Sequence, residues 1–210
     1  NILIPESLSV PLGDLTPGEA NFFEFTRDAG DGRFYYTLHL NSFIDANTVD
    51  PVDRGFSISR VYYDADCNLE TEACEPITEV AAGQQVRVVL TVILPEDRIY
   101  VRVEDPLPAG AEAIAPNLDT TPQTEGGGIE QLEAGNRYGY WGWWYFDHIQ
   151  YRDEKVVFTS MSLPAGTYQY SYTLQTNIPG QFQVMPATAR EEFFPEVFGR
   201  SAGMVLTITE

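Results

Sequence analysis

Basic residues are scarce in this chain. Its 210 residues include 12 Lys and Arg against 31 Asp and Glu, a formal net charge of −19. A surface this acidic repels phosphate backbones, which excludes nucleic acid as a partner, and it disfavours anionic membrane surfaces for the same reason. Long apolar runs are missing too: no stretch approaches the roughly 18–20 residues of a membrane span. The opening Asn1-Ile2-Leu3-Ile4-Pro5 has no basic region followed by an apolar core, so no signal peptide is read there. The chain is expected to be an excised or mature piece of something longer.

Reactive side chains are few. The two histidines, His39 and His148, are not at ligand spacing for zinc. His39 sits in an alternating apolar run with no evident Ser or Asp partner, and no Gly-x-Ser-x-Gly occurs. Carboxylates are abundant, but nothing singles out a pair for glycoside chemistry. No enzyme activity and no cofactor are expected. The two cysteines, Cys67 and Cys74, stand close together in a polar segment, which predicts a local disulfide. Such a bridge adds roughly 2–3 kcal/mol by restricting the unfolded chain and points to an extracytoplasmic, oxidising compartment. Two free thiols are the alternative.

What is present reads as an all-β protein. Hydrophobic residues make up 43% of the chain, including 12 Tyr and 12 Phe, enough for a core, and the 17 Gly and 14 Pro punctuate short apolar runs. Phe22-Phe23-Glu24-Phe25 and Phe34 to Leu40 flank Asp28-Ala29-Gly30-Asp31-Gly32, a hairpin signal. Phe56, Ile58 and Tyr62 share one face of an alternating run with a lone Arg60. Val86 to Leu94, Ile99 to Asp105, Lys155 to Met161, Thr167 to Thr176, Phe182 to Val184 and Met204 to Thr209 are further strands. Residues 111–118 form a weak helix candidate, and no segment sustains a 3.6-residue apolar stripe. An antiparallel β-sandwich is expected, with a boundary near residues 45–55 dividing 1–50 from 51–210.

Two local features invite function. Asp64, Asp66, Asn68, Glu70 and Glu75 place oxygen donors at positions that mimic a calcium loop, although Leu69 stands where the sharp turn wants Gly. The alternative is a solvated hairpin tip pinned by the disulfide. The aromatic run from Tyr138 to Tyr145, with Tyr140, Trp141 and Trp143, either packs in the core or against a neighbouring domain, or stacks on sugar rings. The second option describes a cell-surface adhesin or carbohydrate-binding module.

Several blocks carry a more specific signal. Val103-Glu104-Asp105-Pro106-Leu107-Pro108-Ala109-Gly110 resembles a strand and turn in the last macroglobulin-like domain of bacterial alpha-2-macroglobulins. Leu163-Pro164-Ala165-Gly166-Thr167-Tyr168-Gln169-Tyr170-Ser171-Tyr172 resembles its Tyr-rich strand. Phe182 to Ala187, followed by Pro195-Glu196-Val197-Phe198-Gly199-Arg200-Ser201, resembles its closing block. Gly30 to Leu38 resembles a strand of the returning half of a CUB-like β-domain. The resemblance implies a non-catalytic docking domain of a secreted protease trap. Residues 1–50 then belong to the CUB-like part, and target proteases are partners through the parent. The thioester domain of the same parent chain is the expected neighbour. The family's Cys-x-Glu-Gln thioester motif is absent here. Phe193, Phe194, Pro195, Glu196, Val197 and Phe198, with Tyr140, Trp141 and Trp143, are the docking candidates. The family usually has Tyr near Phe193, so a hydroxyl donor is missing at that position.

Overall fold

The computed structural model describes residues 7–115 except 32, 34, 42 and 70, the backbone of 129–134, and residues 148–210. The chain divides into two units, Asn1–Phe43 and Ile44–Glu210. In the first, the Asn21 side chain accepts from Thr16 N (2.8 Å) and donates to Thr16 O (3.1 Å), closing a loop after a short 3-10 turn at Leu12–Asp14. Of the predicted hairpin the described residues show one stacked pair, Phe25 on Tyr36 with centroids 5.2 Å apart. No strand ladder forms among the described residues of this unit. An isolated two-stranded ribbon is marginal in water, and Phe22, Tyr35, Leu40 and Phe43 are left exposed.

The second unit is built from fourteen strands: β1 (Val52–Arg54), β2 (Ser57–Asp64), β3 (Glu79–Ala81), β4 (Gln85–Leu94), β5 (Arg98–Pro106), β6 (Ala111–Ala113), β7 (Ile129–Ala134), β8 (His148–Tyr151), β9 (Lys155–Leu163), β10 (Gly166–Thr176), β11 (Gly180–Val184), β12 (Thr188–Glu191), β13 (Phe198–Arg200) and β14 (Met204–Thr209). One sheet runs β1-β13-β12-β5-β9-β8, a second runs β2-β4-β10-β6 with β7 also on β10, and a third runs β11-β14-β3. All pairings between named strands are antiparallel except β14 with β3. The segment considered for a helix instead begins as β6, where Ala111 and Ala113 pair with Thr176 and Leu174. The five residues before Pro116 cannot complete a stable helix, whereas β10 offers the first three of them a ladder.

The six-stranded sheet and the β2-β4-β10 sheet pack face to face. Alternation decides the inner faces: Val86, Val88, Leu90, Val92 and Leu94 of β4 and Tyr168, Tyr170, Tyr172 and Leu174 of β10 are all buried. From the opposite sheet come Val101, Val103, Val156 and Phe158, with the Phe158 ring 5.1 Å from that of Tyr170. Tyr168 is anchored as well as buried, since its hydroxyl donates to Pro164 O at 2.8 Å. That local bond fixes the start of β10, in the manner of a tyrosine corner.

The chain changes sheets between β1 and β2. Gly55, at φ +98°, makes the corner in a region that side chains rarely adopt. Phe56 then turns into the core, fully buried. Above it, β13 crosses so closely that a Cβ on Gly199 would lie 2.1 Å from Phe56 O. Ser201 closes the same block, bonding both backbone groups of residue 187: Ala187 N donates to Ser201 Oγ (2.9 Å) and Ser201 N to Ala187 O (2.8 Å). Gly199 is thus accounted for by close packing and Ser201 by its hydrogen bonds.

Candidate docking site

The disulfide between Cys67 and Cys74 is formed, with Cα atoms 6.0 Å apart. In the turn leading into it, Asp66 N donates to Asp64 Oδ1 (2.9 Å), and the Arg87 guanidinium donates to Ala65 O (3.0 Å) and Cys67 O (3.3 Å). A cation therefore already sits on the carbonyls of this turn. Among the described residues no group of three or more acidic, His or Cys side chains gathers to hold a metal. Of the calcium candidates, Glu70 lies outside the described residues, and Asp64, Asp66, Asn68 and Glu75 are not brought together as a ligand set.

The lone Arg60 on the apolar face of β2 reaches through the sandwich. Its Nη1 lies 2.5 Å from Asp105 Oδ1 on β5, and Tyr172 OH donates to Asp105 Oδ2 at 2.7 Å. Arg60 Nη1 also approaches Pro106 O at 3.4 Å, and the guanidinium lies 5.6 Å from the Tyr62 ring centroid. Burial drives the Asp105 carboxyl up from its ordinary pKa, against the pull of Arg60 and the Tyr172 hydroxyl. Burial also works against the Arg60 charge, but Asp105 more than offsets it and lifts the guanidinium above its ordinary value. This cluster ties the two sheets together and exposes nothing to a substrate.

The surface candidate is the turn after β12. Glu191 N donates to Val197 O (3.2 Å) and Val197 N to Phe194 O (2.9 Å), closing the loop on itself. Glu192 N donates to Tyr100 O (2.9 Å), and Glu191 Oε1 accepts from Ile99 N (3.3 Å), fixing the loop to β5. Phe193 and Phe194 then project outward, 67% and 50% exposed. Phe193 meets Tyr100 edge-on, with centroids 5.0 Å apart.

Tyr100 stands at φ +51° inside a strand. For a bulky aromatic this region costs on the order of 1–3 kcal/mol and survives only where the surroundings enforce it. Its ring, half-exposed, extends the apolar surface of Phe193.

The six residues proposed from sequence thus divide. Phe193, Phe194, Pro195 and Glu196 form the exposed tip. Val197 packs against the core and the Gly55 corner, and Phe198 lies half-buried beneath the Arg54 guanidinium, 5.5 Å from its ring centroid. Tyr140, Trp141 and Trp143 lie outside the described residues. Sequence reasoning missed Tyr100 as part of the surface. The available signal was an aromatic at the outer end of a β-branched strand, alternating with the core position Val101.

Two face-packed antiparallel sheets with a short third sheet, and one disulfide in the connection from β2 to β3, define a macroglobulin-like β-sandwich. The family described as the bacterial alpha-2-macroglobulin MG10 domain matches residues 55–196, well over half of the chain. The chain belongs to that family. An alpha-2-macroglobulin homolog of Nostoc sp. is 25% identical over 209 residues, covering 97% of this chain and 10% of the relative. Escherichia coli alpha-2-macroglobulin activated by porcine elastase superposes with a TM-score of 0.61 at 21% identity, over 77% of this chain and 14% of that one. The native Escherichia coli protein from domain MG7 to the C-terminus gives 0.59 at 20% identity, over 76% and 24%. The chain therefore spans about a tenth of the length of its curated Nostoc relative.

Proposed function

We propose that this chain is a non-catalytic docking module of an extracytoplasmic, alpha-2-macroglobulin-type protease trap, and that the Phe193–Glu196 tip with Tyr100 packs against the thioester domain of the parent chain. The observation that carries the reading is the pair of exposed phenylalanines on a loop whose backbone is bonded to itself and to β5. Exposed aromatics on a rigid loop gain burial on docking at little entropic cost. The disulfide supports an oxidising compartment. Activation by elastase, named for the Escherichia coli relative, supports a parent that responds to proteases. In this reading residues 1–50 are returning strands of a CUB-like β-domain, whose uncovered aromatics await strands from elsewhere in the parent, and 51–210 form the last macroglobulin-like domain. Proteolysis of the parent shifts the balance between two packed arrangements, and this sandwich moves as one of the rigid bodies.

The test is made in the full-length parent protein. Replacing Phe193 and Phe194 with Ser is expected to raise hydrogen exchange in the docked partner domain. Because both side chains are exposed, it should change the stability of the sandwich by no more than about 0.5 kcal/mol. Unaltered exchange in every other domain of the parent would refute the assignment.

A further inference from the structure

Although the chain carries a net charge of −19, the outer face of the six-stranded sheet is basic. Pairing places Arg54 opposite Phe198, Phe198 opposite Arg190, Arg190 opposite Arg102, Arg102 opposite Thr159, and Thr159 opposite His148. Phe198, Arg190, Arg102 and Thr159 occupy outward positions, shown by the burial of their strand neighbours Val101, Val103, Phe158, Ala189 and Gly199, and Arg54 and His148 are themselves exposed. With strands spaced about 4.8 Å apart, the row crosses about 24 Å and contains no carboxylate. Arg200 and Lys155 flank it on the same face. Among the described residues, five cations thus share a face with two carboxylates, Glu104 and Glu192. Asp153 and Glu154 stand only at the hairpin beyond Lys155.

Arg190 and Arg102 face each other directly across β12 and β5. Like charges in that position are unfavourable for a sheet. Glu104 partly relieves them, 2.8 Å from Arg102 Nη2, 3.2 Å from Lys155 Nζ and 3.6 Å from Arg190 Nη1. Glu192 lies farther out, 3.8 Å from Arg190 Nη2 and 4.0 Å from Arg102 Nη1. The guanidiniums are thereby held in place while still partly open to solvent.

We infer that this face docks a carboxylate-rich polypeptide surface. Planar guanidinium forks match carboxylates in geometry, and the face already binds two of its own. The one aromatic in the row, Phe198, is covered by Arg54, so among the described residues the row itself presents no open ring to stack on a sugar. The net charge disfavours phosphate polymers at long range, whereas a carboxylate surface touching only this face is attracted within a Debye length of about 8 Å. The face lies outside the Phe193 tip and needs no thioester partner.

The full 210-residue chain is titrated with fluorescein-labelled deca-glutamate in about 50 mM NaCl near neutral pH, by anisotropy. Saturable binding is expected, weakened at least about tenfold in Arg102→Glu/Arg190→Glu. Arg54→Glu, at an exposed position with no ion pair among the described residues, should also weaken it, which keeps the test valid if the double variant misfolds. Arg27→Glu changes the net charge equally in the other unit and should leave binding unchanged. No binding, equal weakening by Arg27→Glu, or tighter binding of polygalacturonate or polyphosphate at matched charge overturns the inference.

Discussion

Glu104 and Asp105 are neighbours on β5, both face arginines, and their carboxyl groups are driven in opposite directions. Asp105 points inward, with no exposed surface. Its pKa is raised, because burial outweighs Arg60 and Tyr172. Glu104 points outward, its side chain 15% exposed. Residual burial pushes its pKa up, but hydrogen bonds and charge from Lys155 and Arg102 win, and the net shift is downward. Solvent is the difference. On the outer face a carboxylate keeps part of its hydration while it gains cations. On the inner face one cation and one hydroxyl must replace all of it. The inner pair is consequently a specification device: costly to form, costlier to break singly. The outer cluster contributes modestly and remains available to a partner.

The sharpest way to break this comparison is Asp105→Ala. It leaves the Arg60 charge buried without its partner and is expected to destabilise the sandwich by about 3–5 kcal/mol in urea unfolding. Replacing both partners, as Arg60→Met with Asp105→Leu, should recover most of that loss. If the double variant is as unstable as the single one, the pair stabilises the fold outright and the contrast with Glu104 fails. A smaller effect is expected from Tyr172→Phe. It removes the donor to Asp105 Oδ2 while keeping the ring, at a cost of about 1–3 kcal/mol. It should also raise the Asp105 carboxyl further, visible in the pH dependence of unfolding. A loss below about 0.5 kcal/mol would mean that the hydroxyl is not needed there.

The inner face was largely legible in the sequence. Alternation at Tyr168, Tyr170 and Tyr172, and at Phe56, Ile58, Arg60 and Tyr62, placed these residues on one side because the strand period leaves no other choice. The long strands β2, β4, β5, β9 and β10 follow from such runs. The short strands β1, β3, β12 and β13 carry three or four residues each, too few for a period to show, and β1 and β13 meet beside the Gly55 corner and the close approach of Gly199 to Phe56. The exposed tip at Phe193 and Phe194 was legible as apolar residues in a polar loop. The left-handed Tyr100 was not, since tertiary packing imposes that backbone. Nor was the basic row, because Arg54, Arg190 and Arg102 become neighbours only through the order of strands in the sheet.

The smallest expected effect concerns the outer carboxylate. Glu104 has a folded pKa below its ordinary 4.5. Its contribution to stability is therefore present above the unfolded value and lost as the pH falls through the depressed folded value. Glu104→Gln should cost no more than about 1 kcal/mol near neutral pH, as exposed ion pairs do. The two proteins should converge in stability below the folded pKa. Asp105 has the opposite sign: its raised pKa favours the neutral form, so its term is lost as the pH rises. The acid limb of the wild-type stability curve is thus the Glu104 gain set against the Asp105 term. The excess of the wild-type urea midpoint over that of Glu104→Gln should shrink as the pH falls across that limb. An excess that stays constant or grows as the pH falls would mean that Glu104 is not the group the three outer cations hold ionised.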